Sequence, residues 1–273
     1  MTMRFVLVHG GMHTGAHFDL LSAELRALGH DVVAPDLPGR GERAEEKATW
    51  DGCRVAVADT IQEGDVLVSH SAGGYSAALA AEVKAPLLRR LIFLAASVPV
   101  DGQTMGLASL VEQGHPMFVP VEGRTGPEIA IQSFEMAWDS LYQDCNEQVA
   151  RHAFAQLVPE QVGLMLEPFS LPSFDSLKIP RDYIVCLDDR SGINAKVENY
   201  SKPKHPRTTN YSKNTELTDG HAQTRSLQQK NSMPKSPKSM AILRALETVI
   251  SSSSISSANA KTCFAFFPAP TAI

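Results

Sequence analysis

The sequence lacks an excess of positive charge, closely spaced cysteines and long apolar runs, and each absence excludes a class of protein. Its 25 Lys and Arg residues stand against 30 Asp and Glu residues, which gives a formal net charge of -5. Because binding to phosphates requires a basic surface, nucleic acid is not expected as a partner. No apolar run approaches the ~20 residues that span a bilayer, and the run near the N-terminus is too short for a signal peptide, so no membrane attachment is expected.

The four cysteines give no sign of a metal site or of a disulfide framework. Cys53, Cys145, Cys186 and Cys263 are scattered without C-x-x-C spacing or neighbouring histidine pairs. We therefore expect free thiols in a reducing compartment, and hence a cytoplasmic protein. No metal, nucleotide or flavin motif occurs, so the sequence predicts no cofactor.

Short apolar runs alternate with helical patterns in the first hundred residues. Strands are predicted at Phe5–Val8, Asp31–Pro35, Asp65–Val68 and Leu91–Leu94, and a further strand at Asp182–Leu187. Between them, residues 18–28 and 72–83 have the spacing or composition of helices. Strands without polar alternation, separated by helices, are typical of a parallel sheet covered on both faces, so the sequence predicts an α/β fold.

The alternation of strands and helices is interrupted between residues 100 and 176, and this interruption divides the chain into a core and an inserted segment. That segment has helical patterns near 129–142 and 147–157 and no convincing strand, so it is predicted to be a helical cap inserted into the core. The core would consist of residues 1–99 and 177–250. Residues 251–273 are low in complexity and then apolar, and they are predicted to be a disordered tail.

Reactive groups follow three of the predicted strands, and the carboxyl ends of parallel strands meet at one edge of a sheet. Gly11 follows the first strand, Ser71 the third and Asp189 the resumed strand, while His221 lies in a later loop. A serine hydroxyl becomes nucleophilic when a histidine takes its proton and a carboxylate orients that histidine. The backbone N–H groups of Gly11 and Ala72 could stabilise the resulting oxyanion.

Four segments resemble the signatures of a known superfamily: LVHGGMHTGAHF, SHSAGGYSAAL, YIVCLDDRS and GHAQTRS. They are similar to the α/β-hydrolases, in the branch of small esterases, hydroxynitrile lyases and plant methylesterases. This resemblance implies an α/β-hydrolase fold, a mostly parallel sheet flanked by helices with an inserted helical cap. It also implies Ser71 as nucleophile, Asp189 as triad acid and His221 as general base, with Gly11 and Ala72 as oxyanion donors.

Two of these roles have competitors in the sequence. Asp188 competes with Asp189 as the acid, and His205 competes with His221 as the base, because the segment between Asp189 and His221 matches the family poorly. His9, His13 and His70 are expected to be structural. The residues expected to line a substrate pocket are Met12, His17, Tyr75, Phe118, Phe134 and Trp138.

The predicted function is that of a serine hydrolase for small to medium carboxylic esters, with a small-molecule ester as its partner and a homodimer as an open possibility for its assembly. One alternative is a hydroxynitrile lyase that uses the same triad. Such relatives have a lysine beside the catalytic histidine, whereas Ala222 follows His221 here. The other alternative is a non-catalytic binding protein, since the C-terminal third departs from the family pattern.

Overall fold

The computed structural model describes residues 2–105, 114, 116–123, 126–186, 189–191, 246 and 259–260. Its strands are β1 (Arg4–Val8), β2 (Asp31–Val33), β3 (Asp65–Ser71), β4 (Leu88–Ala96), β5 (Phe118–Glu122), β6 (Pro127–Ile131), β7 (Glu160–Gln161), β8 (Arg181–Cys186) and β9 (Asn259–Ala260). Its α-helices are α1 (Asp19–Ala27), α2 (Trp50–Ala58), α3 (Gly73–Lys84), α4 (Phe134–Ala137), α5 (Glu147–Ala155) and α6 (Val162–Leu166).

The main sheet is parallel and has the strand order β2-β1-β3-β4-β8-β9. The chain begins at β1, moves outward to β2, and then crosses back to β3 on the other side of β1. The order therefore reverses between β1 and β3, where Val8 pairs with Ser69. In open parallel sheets ligands bind at such a reversal, beyond the carboxyl ends of the strands, and here those ends lead to Gly10 and Ser71.

Helices cover both faces of this sheet, as the unbroken apolar strands predict. Alternate residues of β1 point to opposite faces: Val6 and Val8 belong to one apolar cluster, and Phe5 and Leu7 to another. Buried residues of α2 and α3 pack in the first cluster, and those of α1 pack in the second. The predicted α/β fold with a mostly parallel sheet is therefore confirmed.

The segment between β4 and β8 contains strands that the sequence analysis did not predict. It contains α4, α5 and α6, but also an antiparallel sheet with the order β5-β6-β7. Ile129, expected to begin a helix, lies in β6 opposite Pro120 of the edge strand β5. A proline cannot donate to a strand ladder and is tolerated at an edge. Because Pro120 interrupts the apolar residues of β5, this short strand shows no continuous apolar run. The expectation that this segment of the helical cap contains no strand is therefore wrong.

Two expectations about the C-terminal part also need correction. Asn259 and Ala260 pair with β8, so these two residues of the expected disordered tail lie in a strand, and the rest of that tail lies outside the described residues. Leu246 is helical and fully buried. Cys53 and Cys145 are free thiols as expected, whereas Cys186 is disulfide-bonded. The absence of C-x-x-C spacing could not reveal a bond between distant cysteines.

Among the described residues, no helix combines the length and the apolarity needed to cross a membrane.

Candidate active site

Ser71 occupies a sharp turn between a strand and a helix. It is the last residue of β3, and α3 begins two residues later at Gly73. Its backbone φ is 52°, in the left-handed region that non-glycine residues rarely adopt. Residues of β3 before it are buried, whereas Ser71 itself is half-buried. A strained serine raised at a strand-to-helix turn is the arrangement of a nucleophile elbow.

The glycine loop after β1 lies directly against this turn. A Cβ atom on Gly10 would be 2.7 Å from Ser71 Cβ and 3.2 Å from Ser71 Oγ. A Cβ atom on Gly11 would be 3.7 Å from Ala72 Cβ. The structure therefore brings the two expected oxyanion residues, Gly11 and Ala72, close together, and glycine is required at position 10 because a side chain there would displace the nucleophile.

The backbone around Gly11 is held by hydrogen bonds on several sides. The Gly11 carbonyl oxygen lies 2.6 Å from His13 Nδ1. The Met12 N–H donates to Glu160 Oε2 at 3.1 Å, and the Met12 carbonyl accepts from Val158 N–H at 3.0 Å. The Gly11 N–H has no acceptor among the described residues. Donors fixed in advance are what an oxyanion site needs.

Ala72 supplies a second potential donor for a different reason. It precedes the first turn of α3. The N–H groups at the start of a helix have no partner within the helix and carry the positive end of its dipole. The N–H groups of Gly11 and Ala72 are therefore the candidate donors near Ser71, and their binding of an oxyanion stays a prediction.

Asp189 lies beyond the carboxyl end of β8, on the same edge of the sheet as Ser71. Leu94 of β4 pairs with His70 on one side and with Ile184 on the other, so β3 and β8 end at the same level. The Asp189 Oδ1 accepts from Ser191 N–H at 2.8 Å. Its Oδ2 is buried and accepts from none of the described residues. The carboxylate therefore keeps one oxygen for a further partner.

The proposed base and both competing assignments lie outside the described residues. His221, His205 and Asp188 belong to segments of which the structure describes nothing. The structure therefore brings Ser71 against the glycine loop and places Asp189 on the same edge of the sheet, and the catalytic roles of Ser71, Asp189 and His221 stay predictions.

Four histidines pack behind the glycine loop, and their environment keeps them neutral. Burial lowers the pKa of His13 to about 4, of His70 to about 3 and of His17 to about 2, and it holds the pKa of His9 well below its usual range. The His9 Nε2 accepts from Leu37 N–H, so its Nδ1 carries the proton and donates to the Gly10 carbonyl. His9 and His13 thus hydrogen-bond the loop as expected.

The residues expected to line the pocket do not form one group. Tyr75 is buried, with its ring centre 5.1 Å from that of Phe169, in the cluster that also contains Met12 and contacts Phe118. Phe134 and Trp138, whose ring centres are 5.7 Å apart, pack on the other cluster. His17, which is buried, packs edge-on against His13. Their role in binding a substrate stays a prediction.

Sequence reasoning missed two buried charged residues beside the loop. Arg40 and Glu160 form an ion pair, and Glu160 also accepts from the Met12 N–H. They are separated by 120 positions in the chain, so no local spacing reveals their contact. Arg40 is one of several charged residues in the segment 36–47, and Glu160 stands among mostly apolar residues, so nothing in the sequence marked the two as a buried pair.

Known proteins resemble this chain in sequence and in structure. Methylesterase 4 of Arabidopsis thaliana is 36% identical over 129 residues, which cover 44% of this chain and 48% of that protein. Esterase PIR7B of Oryza sativa is 35% identical over 144 residues, which cover 48% of this chain and 49% of that protein. The chain thus spans about half the length of these relatives. Methylesterase 2 of Arabidopsis thaliana is 29% identical over 211 residues, covering 68% and 78%.

Solved structures agree with the fold, and a family model agrees with the sequence. Polyneuridine aldehyde esterase has a TM-score of 0.60 at 24% identity, covering 74% of this chain and 86% of that one, and shows the fold alone. An extracellular α/β-hydrolase from a Paenibacillus species has a TM-score of 0.58 at 25% identity, covering 69% and 79%. The resemblance to the methylesterase-like branch is confirmed. Because the model of the alpha/beta hydrolase family matches residues 5–225, the chain belongs to that family.

Proposed function

We propose that the protein hydrolyses small to medium carboxylic esters through an acyl-serine intermediate. The observation that carries this proposal is the left-handed Ser71 between β3 and α3, in contact with the glycine loop after β1. The proximity of this hydroxyl to the backbone of Gly11 and Ala72, the two candidate oxyanion donors, supports the proposal. Relatives named methylesterase and esterase use the same family fold, which supports ester cleavage.

The first half of the reaction acylates Ser71. Its Oγ attacks the ester carbonyl carbon while His221 takes the hydroxyl proton, and the carbonyl oxygen becomes an oxyanion. The N–H groups of Gly11 and Ala72 receive this oxyanion, and each such donor is worth about 10²- to 10³-fold in rate. The C–O bond to the alcohol then breaks, and His221 returns its proton to the leaving alkoxide.

The second half releases the acid. His221 takes a proton from a water molecule, whose oxygen attacks the acyl carbon, and the same oxyanion donors act again. Collapse of this intermediate expels the Ser71 oxygen, which recovers its proton from His221. Asp189 would orient His221 and stabilise the imidazolium, and the buried Oδ2 that accepts from no described residue supports that role.

A panel of p-nitrophenyl esters of increasing acyl length tests the proposal. The wild type is compared with Ser71→Ala, Asp189→Asn and His221→Ala, and methyl esters are included because two relatives are named methylesterases. We expect hydrolysis by the wild type and a loss of about 10⁴-fold or more in each variant. Activity that survives His221→Ala but disappears in His205→Ala would transfer the base to His205. Cyanide release from cyanohydrins that outpaces ester cleavage would replace the esterase with a lyase.

Whether Ser71 is an activated nucleophile can be tested without knowing the substrate. A fluorophosphonate probe reacts with an activated serine and should label the wild type but not Ser71→Ala. Folded wild-type protein that resists the probe and cleaves no ester would favour a binding protein on the same fold.

A further inference from the structure

Glu160 is a charged residue without exposed surface. It begins β7, in the segment between β4 and β8, and its relative exposure is 0%. Arg40 lies in the loop that follows β2, is also buried, and forms an ion pair with Glu160. The pair therefore joins the inserted segment to a loop of the core, away from solvent.

Such a pair is a weak source of stability. Removing two charges from water costs several kcal/mol, and an apolar pair of the same shape often serves the fold equally well. The Nε of Arg40 is buried and finds no acceptor among the described residues, so this pair is incompletely satisfied. Burial lowers the pKa of Arg40, but the charge of Glu160, its hydrogen bond and smaller contributions from Cys53 and Asp36 together raise that pKa, so the guanidinium stays charged. Stability alone therefore does not account for this pair.

The second oxygen of Glu160 contacts the oxyanion loop directly. Glu160 Oε2 accepts from the Met12 N–H at 3.1 Å, and a Cβ atom on Gly11 would be 3.0 Å from the same oxygen. The carboxylate thus fills the space that the missing side chain of Gly11 leaves. One oxygen of Glu160 is held by Arg40 and the other holds Met12.

These contacts fix two successive peptide planes. The plane between Gly11 and Met12 is held at both ends, by His13 at the carbonyl and by Glu160 at the N–H. In the preceding plane the Gly10 carbonyl accepts from His9 Nδ1 at 2.9 Å and from His13 N–H at 3.4 Å. In a trans peptide the N–H points away from the carbonyl, so these bonds set the direction of the Gly11 N–H. Glu160 fixes the next peptide plane, between Gly11 and Met12, through the Met12 N–H.

We propose that Glu160, held by Arg40, is a positioning residue that keeps the Gly11 N–H aimed at the oxyanion by binding the Met12 N–H. The inserted segment thereby contributes to catalysis through the backbone and without touching the substrate. This inference rests on the proposed ester hydrolysis at Ser71.

The pair also matters through its charge. Glu160 places a negative charge close to the atoms that would receive an oxyanion, and Arg40 compensates that charge. Replacing Arg40 alone would leave the carboxylate uncompensated beside the site. Replacing both residues would remove the repulsion, so Arg40→Met should lose more activity than Arg40→Met/Glu160→Gln.

The test compares Glu160→Ala with a neighbour that also joins β7 to the core. The control is Gln161→Ala, because Gln161 accepts from Ala48 N–H at 2.8 Å and donates to the Glu46 carbonyl at 3.4 Å but does not contact the glycine loop. The measurements are kcat and KM for a p-nitrophenyl ester, thermal unfolding, and inhibition by a trifluoromethyl ketone with the same acyl group. Ser71 adds to that ketone to form a stable oxyanion.

We expect Glu160→Ala to lower kcat by about 10²-fold with KM changed less than about threefold, because the lost interaction acts mainly on the transition state. Inhibition by the ketone should weaken in parallel. Glu160→Gln keeps an acceptor for Met12 and should lose less. Gln161→Ala should unfold at a lower temperature but keep kcat and the affinity for the ketone.

Several results would overturn the inference while leaving ester hydrolysis intact. These are equal losses of kcat in Glu160→Ala and Gln161→Ala, a rise of KM with kcat unchanged, or an unaltered affinity for the ketone. If Glu160→Ala does not fold, Glu160→Gln and the Arg40 variants decide by the same criteria. If the wild type cleaves no ester and Ser71 resists the fluorophosphonate, the proposed function fails and the inference falls with it.

Discussion

The Nδ1 atom of His13 lies 2.6 Å from the carbonyl oxygen of Gly11, so this buried ring supports the backbone beside the nucleophile. A carbonyl oxygen accepts, and therefore Nδ1 carries the proton. The other nitrogen, Nε2, lies 3.3 Å from the hydroxyl of Tyr142, whose pKa is raised by burial. The hydroxyl consequently donates to Nε2. One neutral imidazole thus links the oxyanion loop to the inserted segment.

Acidification should destabilise the protein through this group of histidines. Above the ordinary histidine pKa of 6.5 the rings are neutral in both states, and pH has no effect through them. Below pH 6.5 these histidines bind protons in the unfolded chain but stay neutral in the folded chain, because burial lowers the pKa of His13 to about 4 and that of His17 to about 2. The free energy of unfolding should then fall by about 1.4 kcal/mol per pH unit for each such ring.

Urea unfolding between pH 8 and pH 4 measures this effect, and His17→Asn isolates one ring. The His17 Nδ1 accepts from Thr14 N–H at 3.0 Å, and an asparagine oxygen can take that place without titrating. Relative to the wild type, the variant should lose stability less steeply below pH 6.5 and show the same slope between pH 7 and pH 8. Identical slopes throughout would contradict the assignment of a lowered pKa to His17.

The strands around the nucleophile could be predicted because their signals are local. Four unbroken apolar residues in β1 and again in β4 mark strands buried on both faces, and the small residues after Ser71 allow the turn into α3. The positions of Gly11 and Ala72 follow from those two turns. Spacing along the chain was sufficient here because every contact is made by residues next to a strand end.

The strands of the inserted segment and the contact between Glu160 and Met12 could not be predicted, because they depend on residues that are distant in the sequence. Glu160 reaches Met12 across 148 positions, and β7 is only two residues long. The strands of the inserted segment mix polar, apolar and proline residues because one face packs on the core while β5 lies at an edge. Single-sequence periodicity detects neither a short edge strand nor a buried ion pair, since both are fixed by tertiary packing.

The backbone strain at Ser71 should be measurable as a difference between two inactive variants. Alanine keeps the cost of a φ of 52°, whereas glycine adopts that angle freely. Allowing for the greater flexibility of glycine in the unfolded chain, Ser71→Gly should be more stable than Ser71→Ala by about 0.5–1 kcal/mol. Chemical denaturation of both variants gives the difference. Neither variant should cleave esters.

A second serine, in the helix that follows this turn, supplies the control for that comparison. Ser76 is buried in α3, where the backbone is helical. There the order should reverse, with Ser76→Gly less stable than Ser76→Ala by about 1 kcal/mol. If glycine were the less stable replacement at both positions, Ser71 would not store strain in its backbone.

The ion pair between Arg90 and Asp182 connects β4 to β8, and its removal should be costly because it is shielded from water. The Arg90 side chain is 12% exposed and that of Asp182 is 0% exposed. Burial raises the pKa of Asp182, and Arg90 opposes that rise. Arg90→Met would leave a carboxylate buried without its cation, which typically costs about 3–5 kcal/mol. Chemical denaturation at pH 7 measures the loss.

Two further variants distinguish a buried charge from a general effect of losing an arginine. Arg90→Met/Asp182→Leu removes both charges and should recover much of the lost stability, since no isolated carboxylate remains. Arg54→Met breaks an exposed pair with Asp51, whose side chain is 76% exposed, and should cost less than about 1 kcal/mol. If Arg90→Met were as mild as Arg54→Met, or the double variant as unstable as Arg90→Met, the buried charge would not account for the stability of the junction between β4 and β8.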